Sequence, residues 1–405
     1  MGEHSVNSTV FPTIDEWSDE YASDPFGVLR KARDVNWIAE CGMGLMTLTH
    51  GSAKQLLRDE RFVQPHIPML IDRGVTDGII RDVNDNTIVA MDGEPHERLR
   101  GLVTQAFTPK RLDGLRPLMR EVVNNRVDRV VEAGRCEFVS DIAEYYPLRI
   151  ICFMLGIPEH DQPLFVRFLE DQMKLLEWRL DETRPMIEDA FEEMKAYITR
   201  QIEIRRENPT DDLVTAMLSV TDASGDRMTT DEIIWMVDTL LVGGLDTTRC
   251  QLGHGVALLA ERPNDWRRIA SEPETVNTAV EEIFRYQPAV MAQARIALTN
   301  IEFDGVAIAE GTPVFVNFAA ANHDPEVFED PERFDIDRRP NPHLALGFGA
   351  HFCLGAVLAR LEICEALPIL AQRLPNLELD GPVEWRPPVG ITGPDRLPLR
   401  FESTR

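Results

Sequence analysis

Apolar positions along the chain recur mostly at three- and four-residue spacing, interrupted by short stretches where they alternate. The pattern predicts a mainly α fold with small β-sheets (α+β). The first ninety residues mix short helical and strand-like pieces, with "GLMTLTH" reading as a strand. From about Glu94 to Ile204 the pattern is mostly amphipathic helix, with breaks predicted at Pro109, Pro147, Pro158 and Pro185. A polar loop "RRENPTDD", a short helix near Leu213–Val220 and the turn "DASGDR" follow.

Thr229 and Glu232 then form a capping-box signature. The run "IIWMVDTLLVGGLDTTRCQLGHGVALLAER" behind it extends to Pro263. Thirty residues of helix span ~45 Å. The run is apolar almost all round, so it is predicted to pass through the centre of the protein. Beyond Pro288 come the strand-like "ARIALT", "IEFDGVAI" with an Asp-Gly turn, and "TPVFVNF". No repeat, linker or break in composition divides the chain. One domain is expected over 1–405, made of a helix/strand region at 1–90, a helix-rich core at 91–288 and a strand-containing region at 289–405 that holds a cysteine-bearing loop.

Charge narrows the options. A formal charge of −26 disfavours nucleic acid as a partner. No apolar run reaches the ~18 residues of a membrane span, and the N-terminal residues do not read as a secretory signal, so the cytoplasm is expected. "MGEHSV" is only a weak match to a myristoylation start. Six scattered cysteines read as reduced thiols, not as a disulfide framework or a zinc site.

Four constellations carry candidate chemistry. In "LGFGAHFCLGAVLARLE", Cys353 sits between a glycine-rich turn and a helical run. A helix start favours a thiolate, and Gly347, Gly349 and Gly355 allow a flat, bulky group to approach the backbone. Such a thiolate suits haem iron. A buried structural cysteine and a Cys353–His351 nucleophile are the competing readings. In "LLVGGLDTT", Gly243 and Gly244 each cost roughly 1 kcal/mol against alanine inside a helix, which calls for either a ligand beside the helix or close packing. Asp246, Thr247 and Thr248 place polar groups in an apolar run, where they must be hydrogen-bonded or used. A Thr247 bond to a backbone carbonyl would loosen the helix and leave room for water or dioxygen. In "EEIFRYQP", Glu282 and Arg285 share a helix face among apolar neighbours, as in a buried structural ion pair. His96, Arg100, Arg295 and His351 are separated cations that together suit the two carboxylates of a porphyrin.

These motifs resemble one family, the cytochrome P450 haem-thiolate monooxygenases of the soluble bacterial type, from about Asp92 onward. "GFGAHFCLG" resembles the haem-binding loop, "GGLDTT" the oxygen-activating kink, "EIFR" the ExxR pair and "ANHDPEVFEDPERFDIDRR" the meander before the haem loop. The resemblance implies haem b, with Cys353 as iron ligand and His96, Arg100, Arg295 and His351 at the propionates. It implies that Asp246 and Thr247 are the acid–alcohol pair that delivers protons, and that Glu282 and Arg285 are the structural pair, with Arg333 or Arg338 as third member. Arg360 falls where a redox partner docks, with Arg98, Lys110, Arg111 and Arg116 as further candidates. Leu346 departs from the phenylalanine usual at that position.

The implied reaction inserts one atom of dioxygen into a small hydrophobic substrate. Electrons would come from a separate ferredoxin or flavodoxin with an NAD(P)H-dependent reductase, and the protein is expected to be a monomer. The alternatives are a peroxide-driven haem-thiolate enzyme and a non-catalytic haem-based sensor. By analogy the substrate pocket is lined by the segments Pro65–Val89 and Phe165–Ile187, by Thr239, Val242 and Gly243, by Val290, Met291 and Ala292, and by Ile391.

Overall fold

The helix Thr230–Ala260 organises the molecule. In the computed structural model, which describes residues 11–176 and 180–403, its first turn carries the full capping box. The Thr229 hydroxyl accepts from the Glu232 N–H at 3.1 Å, and the Glu232 carboxylate accepts from the Thr229 N–H at 2.7 Å. Buried residues fill most of its length, as an all-round apolar helix requires. The exception is Val242–Thr247, six consecutive residues that are partly or fully exposed in the middle of the core. That gap is the first structural sign of a cleft.

The helices Tyr145–Met154, Leu180–Glu207 and Ala356–Arg373 pack on this central helix. Ala356–Arg373, which follows Cys353, also packs on Arg116–Asp128, Pro263–Ser271 and Val276–Tyr286. Among the described residues, no helix is long and apolar enough to cross a membrane.

The main sheet joins the two ends of the chain. Its strand order is Thr13–Ile14, Ile38–Cys41, Gly44–Thr47, Pro313–Asn317, Ala292–Ala297 and Phe62–Val63. The predicted strand in "GLMTLTH" therefore pairs in parallel with "PVFVN", more than 260 positions later in sequence. The Asp-Gly hairpin forms between Ile301–Phe303 and Val306–Ile308. Asp304 and Gly305 take φ of 46° and 77°, as a two-residue hairpin turn demands.

Two predicted breaks are absent. Pro147 lies in the first turn of Tyr145–Met154, just behind a π-helical turn at Val139–Ala143, where its missing N–H costs little. Pro185 lies inside Leu180–Glu207 without ending it. One backbone bond lost near the start does not stop a 28-residue helix whose face packs on the central helix. The weak myristoylation match falls outside the described residues, as do residues 177–179 of the predicted pocket segment.

Candidate functional site

The loop before Ala356–Arg373 is set by backbone bonds. Cys353 N–H donates to Leu346 O at 2.8 Å and Gly347 N–H to Leu344 O at 2.8 Å, while Cys353 O accepts from Ala356 N–H at 3.2 Å. Gly349 is required by its surroundings: its φ is +73°, and a Cβ there would meet Leu57 O at 2.5 Å. Beside it the Phe348 ring lies under Lys54 and Arg58, at 4.7 and 4.4 Å from its centroid. Gly355 is the residue before the helix, and a Cβ there would lie in ordinary contact with the Cys353 sulfur. The expected thiolate preference is not met by the protein alone. Burial pushes the Cys353 thiol up, and it outweighs the Gly355 N–H and the charges of Arg100 and Arg360, which pull it down. Nor does a Cys–His dyad form, because His351 Nε2 lies 3.2 Å from Asp92 Oδ1.

The four separated cations converge. His96 is buried, lies tilted against His351 at 4.1 Å between ring centroids, and leaves both ring nitrogens without a hydrogen-bond partner. Burial, with the charges of His351 and Arg100 behind it, takes His96 down to about 4. Arg295 is also buried. Its guanidinium reaches Ala294 O at 2.8 Å and the amide oxygens of Gln293 and Gln64 at 3.3 and 3.4 Å, with no carboxylate paired to it among the described residues. Burial lowers Arg295 to about 10. Arg100 donates to Phe352 O. Sequence reasoning missed three members of this cluster. His66 has an orphaned Nδ1 and is lowered by burial to about 4. Gln64 and Asp92 are the others, with Asp92 accepting from Gln64 N–H at 2.8 Å while it also meets His351. Asp92, directly before the helix Gly93–Ala106, has the helix-cap position that could have flagged it. Three buried bases with Asp92 as the carboxylate acting on them, and with no carboxylate bonded to His96 or Arg295 among the described residues, are what an anionic cofactor would complete.

On the central helix, a Cβ at Gly243 would meet nothing within 4 Å, whereas one at Gly244 would touch Ile151 at 3.6 Å. Gly243 thus faces open space and Gly244 a packed neighbour. Thr247 Oγ1 donates to Gly243 O at 2.5 Å, the back-bond expected from the sequence, and the helix runs on through it. Asp246 is held by Arg249 Nε at 3.0 Å and by Arg386 Nη1 at 2.6 Å.

Pocket candidates divide. Val242 and Gly243 belong to the exposed stretch of the helix. Val290 and Ile391 pair in an isolated antiparallel bridge outside the strands, and both residues are partly open. Thr239 bonds Trp235 O and the Thr87 hydroxyl, each at 2.8 Å, so it ties the segment before Asp92 to the helix. Met291 is a correction: it is buried in the N-terminal core with Tyr21, Met46 and Ala319, because its main chain is locked to Gly390 and Phe318. Phe165 and Ile187 are likewise buried in the main core.

Glu282 and Arg285 form a buried pair, and the third member is Arg338, whose Nε lies 3.2 Å from Glu282. The Arg333 side chain goes to Asp335 instead, and only its carbonyl joins the cluster. The predicted docking cations are largely neutralised. Arg360 is paired to Glu281 at 2.6 Å, Arg98 to Glu232, Arg111 to Asp211, and Arg116 to Asp113 and Glu365.

The family model "Cytochrome P450" matches residues 70–379. Luteothin monooxygenase of Streptomyces thioluteus is 36% identical over 375 residues, covering 92% of this chain and 91% of that protein. Mycinamicin IV hydroxylase/epoxidase of Micromonospora griseorubida is 37% identical over 318 residues, 77% and 79% of the two chains. The solved structure of a cytochrome P450 from Chondromyces apiculatus superposes with a TM-score of 0.89 at 28% identity, over 98% of this chain and 100% of that one.

Proposed function

Because this chain belongs to the cytochrome P450 family, a family of haem b monooxygenases, we propose that Cys353 ligates the haem iron and that the protein hydroxylates an apolar substrate with electrons from a separate ferredoxin or flavodoxin. One observation supports this siting of the cofactor: His96, with two orphaned nitrogens, and Arg295, desolvated with no carboxylate bonded to it among the described residues, stand beside the His351 loop that bears Cys353, with Asp92 as the carboxylate acting on them. These residues fit haem b. His96, Arg295, Arg100, His351 and His66 would hold its propionates by charge-assisted bonds, and Gly355 keeps the space beside the sulfur free of a side chain. Coordination to iron would supply the deprotonation that burial withholds from the free Cys353 thiol.

When bound, haem b supplies the redox centre at which dioxygen is activated. The chain's own part is proton handling, orientation and exclusion of water. Thr247 has committed its hydroxyl proton to Gly243 O, so its remaining lone pairs accept from a water in the opening at Gly243. Asp246, the residue before Thr247, connects that water with the surface. Val242, Val290 and Ile391 give the cleft an apolar lining, and the Thr87–Thr239 bond closes one side of it. Relatives named for luteothin and mycinamicin IV support a substrate of comparable bulk. The neutralised state of Arg360 supports docking of the electron donor through shape and local contacts more than through net charge.

The test is turnover with NADH, a ferredoxin system and dioxygen, against turnover with hydrogen peroxide alone, on compounds chosen by their shift of the haem spectrum from a panel of macrolides, steroids and fatty acids. Product only with the electron-transfer system supports the proposal. Product with peroxide at equal rate identifies a peroxide-driven enzyme, and no product from any shifting compound identifies a sensor.

A further inference from the structure

The hairpin of Glu384–Trp385 and Pro394–Arg396 lies along one stripe of the central helix. Its contacts fall at Asp246, Cys250, Gly253 and His254, the spacing of a single helix face. The approach is close. A Cβ on Gly393 would meet the Cys250 Cβ at 2.6 Å, and one on Gly253 would meet the Pro394 ring at 2.6 Å. The Trp385 ring lies 5.5 Å from His254. At the end of this seam four charges alternate. Asp246 Oδ2 accepts from Arg386 Nη1 at 2.6 Å, and Asp246 Oδ1 accepts from Arg249 Nε at 3.0 Å. Arg386 Nε also donates to Asp395 Oδ1 at 2.7 Å, and Arg249 lies 3.7 Å from the same carboxylate. The hairpin main chain completes the hold, with Arg386 N–H on Gly393 O at 3.0 Å and Arg249 Nη1 on Pro394 O at 3.3 Å.

We infer that Arg386, carried by the C-terminal hairpin, is the positioning residue for Asp246, and that with Arg249 it fixes the carboxylate beside Thr247. The inference rests on the reading of Asp246 and Thr247 as the proton-handling pair. The physical case is that an aspartate has two free torsions, and a single i,i+3 partner on its own helix leaves it other orientations. A second guanidinium from a separate element, itself anchored by Asp395 and by its own backbone, removes them. Arg386 is more than a surface partner. Burial alone would lower it, yet Asp246 and Asp395 raise it above the ordinary arginine value. Arg249 is nearly inaccessible, so the hold is shielded from solvent on one side.

The test compares haem-loaded Arg386→Ala, Arg386→Lys, Asp246→Asn and the double variant Arg386→Ala/Asp246→Asn. The substrate is the panel compound with the largest haem spectral shift. Melting temperature, that shift, and product and peroxide per NADH are measured together. Arg386→Ala should keep haem content and the shift while losing product formation by about the factor that Asp246→Asn does. The double variant should be no slower than Asp246→Asn, and Arg386→Lys should recover part of the loss. Melting losses of the two single variants should be sub-additive in the double. Additive melting losses, or rate losses that multiply, overturn the inference. Asp246→Asn at the parental rate with sub-additive melting sinks the proton-handling reading but supports the Arg386–Asp246 hold. Where Arg386→Ala loses haem, Arg386→Lys carries the same comparison.

Discussion

Glu282 and Arg285 meet at two points, Nε to Oε2 and Nη2 to Oε1, both at 2.8 Å, and neither side chain is exposed. Arg338, Asn341 Nδ2 and the Asp335 N–H also turn to the Glu282 carboxylate, and Arg285 also donates to the carbonyls of Asn322, Pro331 and Arg333. The pair therefore clamps the segment leading into the cysteine loop onto the helix Val276–Tyr286. Glu282→Ala leaves two buried guanidiniums without their carboxylate, and removing one partner of a buried pair costs about 3–5 kcal/mol. Chemical denaturation should show a loss of that size together with poor haem retention. A loss below ~1 kcal/mol, the level of an exposed pair, would refute the clamp.

Cys353 is the one cysteine at the mouth of the glycine-rich loop. Cys353→Ser should abolish the red-shifted Soret band of the reduced, CO-bound protein, whereas serine at Cys41, Cys136, Cys152, Cys250 or Cys364 should leave it in place. Those five thiols are pushed up to about 11 or 12 by burial, which suits unreactive thiols. A normal CO spectrum in Cys353→Ser would refute the ligand assignment.

Local motifs were legible in the sequence because their physics is local. The capping box at Thr229 and Glu232, the Asp-Gly hairpin at Asp304–Gly305 and the i,i+3 pair of Glu282 with Arg285 each depend on residues a few positions apart. What stayed hidden depends on distant segments meeting. Asp92 bonds Gln64 and His351, and Arg386 reaches Asp246 across 140 positions. Met291 was placed in the pocket by analogy, but main-chain bonds to Gly390 and Phe318, both distant in sequence, hold it in the N-terminal core. The resemblance puts Arg360 where a redox partner docks, but its pairing with Glu281 joins positions 79 apart and has no local signal.

Glu281 makes a prediction about pH. Burial pushes its carboxyl up, but hydrogen bonds from His343 and Arg360 outweigh that and hold it at about 2. The Ala345 N–H donates to His343 Nδ1, which leaves Nε2 as the donor to Glu281 at 3.0 Å. A carboxyl depressed in the folded state contributes stability that is complete above its unfolded value of ~4.3 and is lost as pH falls through the folded value. The parent should lose stability between about pH 5 and pH 2 more steeply than Glu281→Gln does. Parallel stability–pH curves would show that Glu281 takes no part in acid unfolding.

Thr247 and Gly243 give the prediction on which the proposed chemistry most depends. The hydroxyl donates to the Gly243 carbonyl, and Gly243 has no side chain to fill the adjoining space. An oxygen whose own proton is committed in this way is left as an acceptor, so it orients water without trapping that water's second proton. Thr247→Ala removes the acceptor and leaves the backbone, the apolar lining and the cluster of His96, Arg295 and His351 untouched. Haem content and the substrate-induced spectral shift should therefore match the parent. NADH should still be consumed, but much of the flux should leave as hydrogen peroxide, with little hydroxylated product. Thr247→Ser keeps a hydroxyl within reach of the same carbonyl and should restore part of the coupling. Asp246→Asn should act differently, slowing total turnover because the path from the surface is impaired. The ratio of product to NADH, with peroxide quantified in the same reaction, separates these outcomes. Parental coupling in Thr247→Ala would mean that the hydroxyl only satisfies a helix carbonyl, and the proton-handling role would then have to lie elsewhere in the cleft.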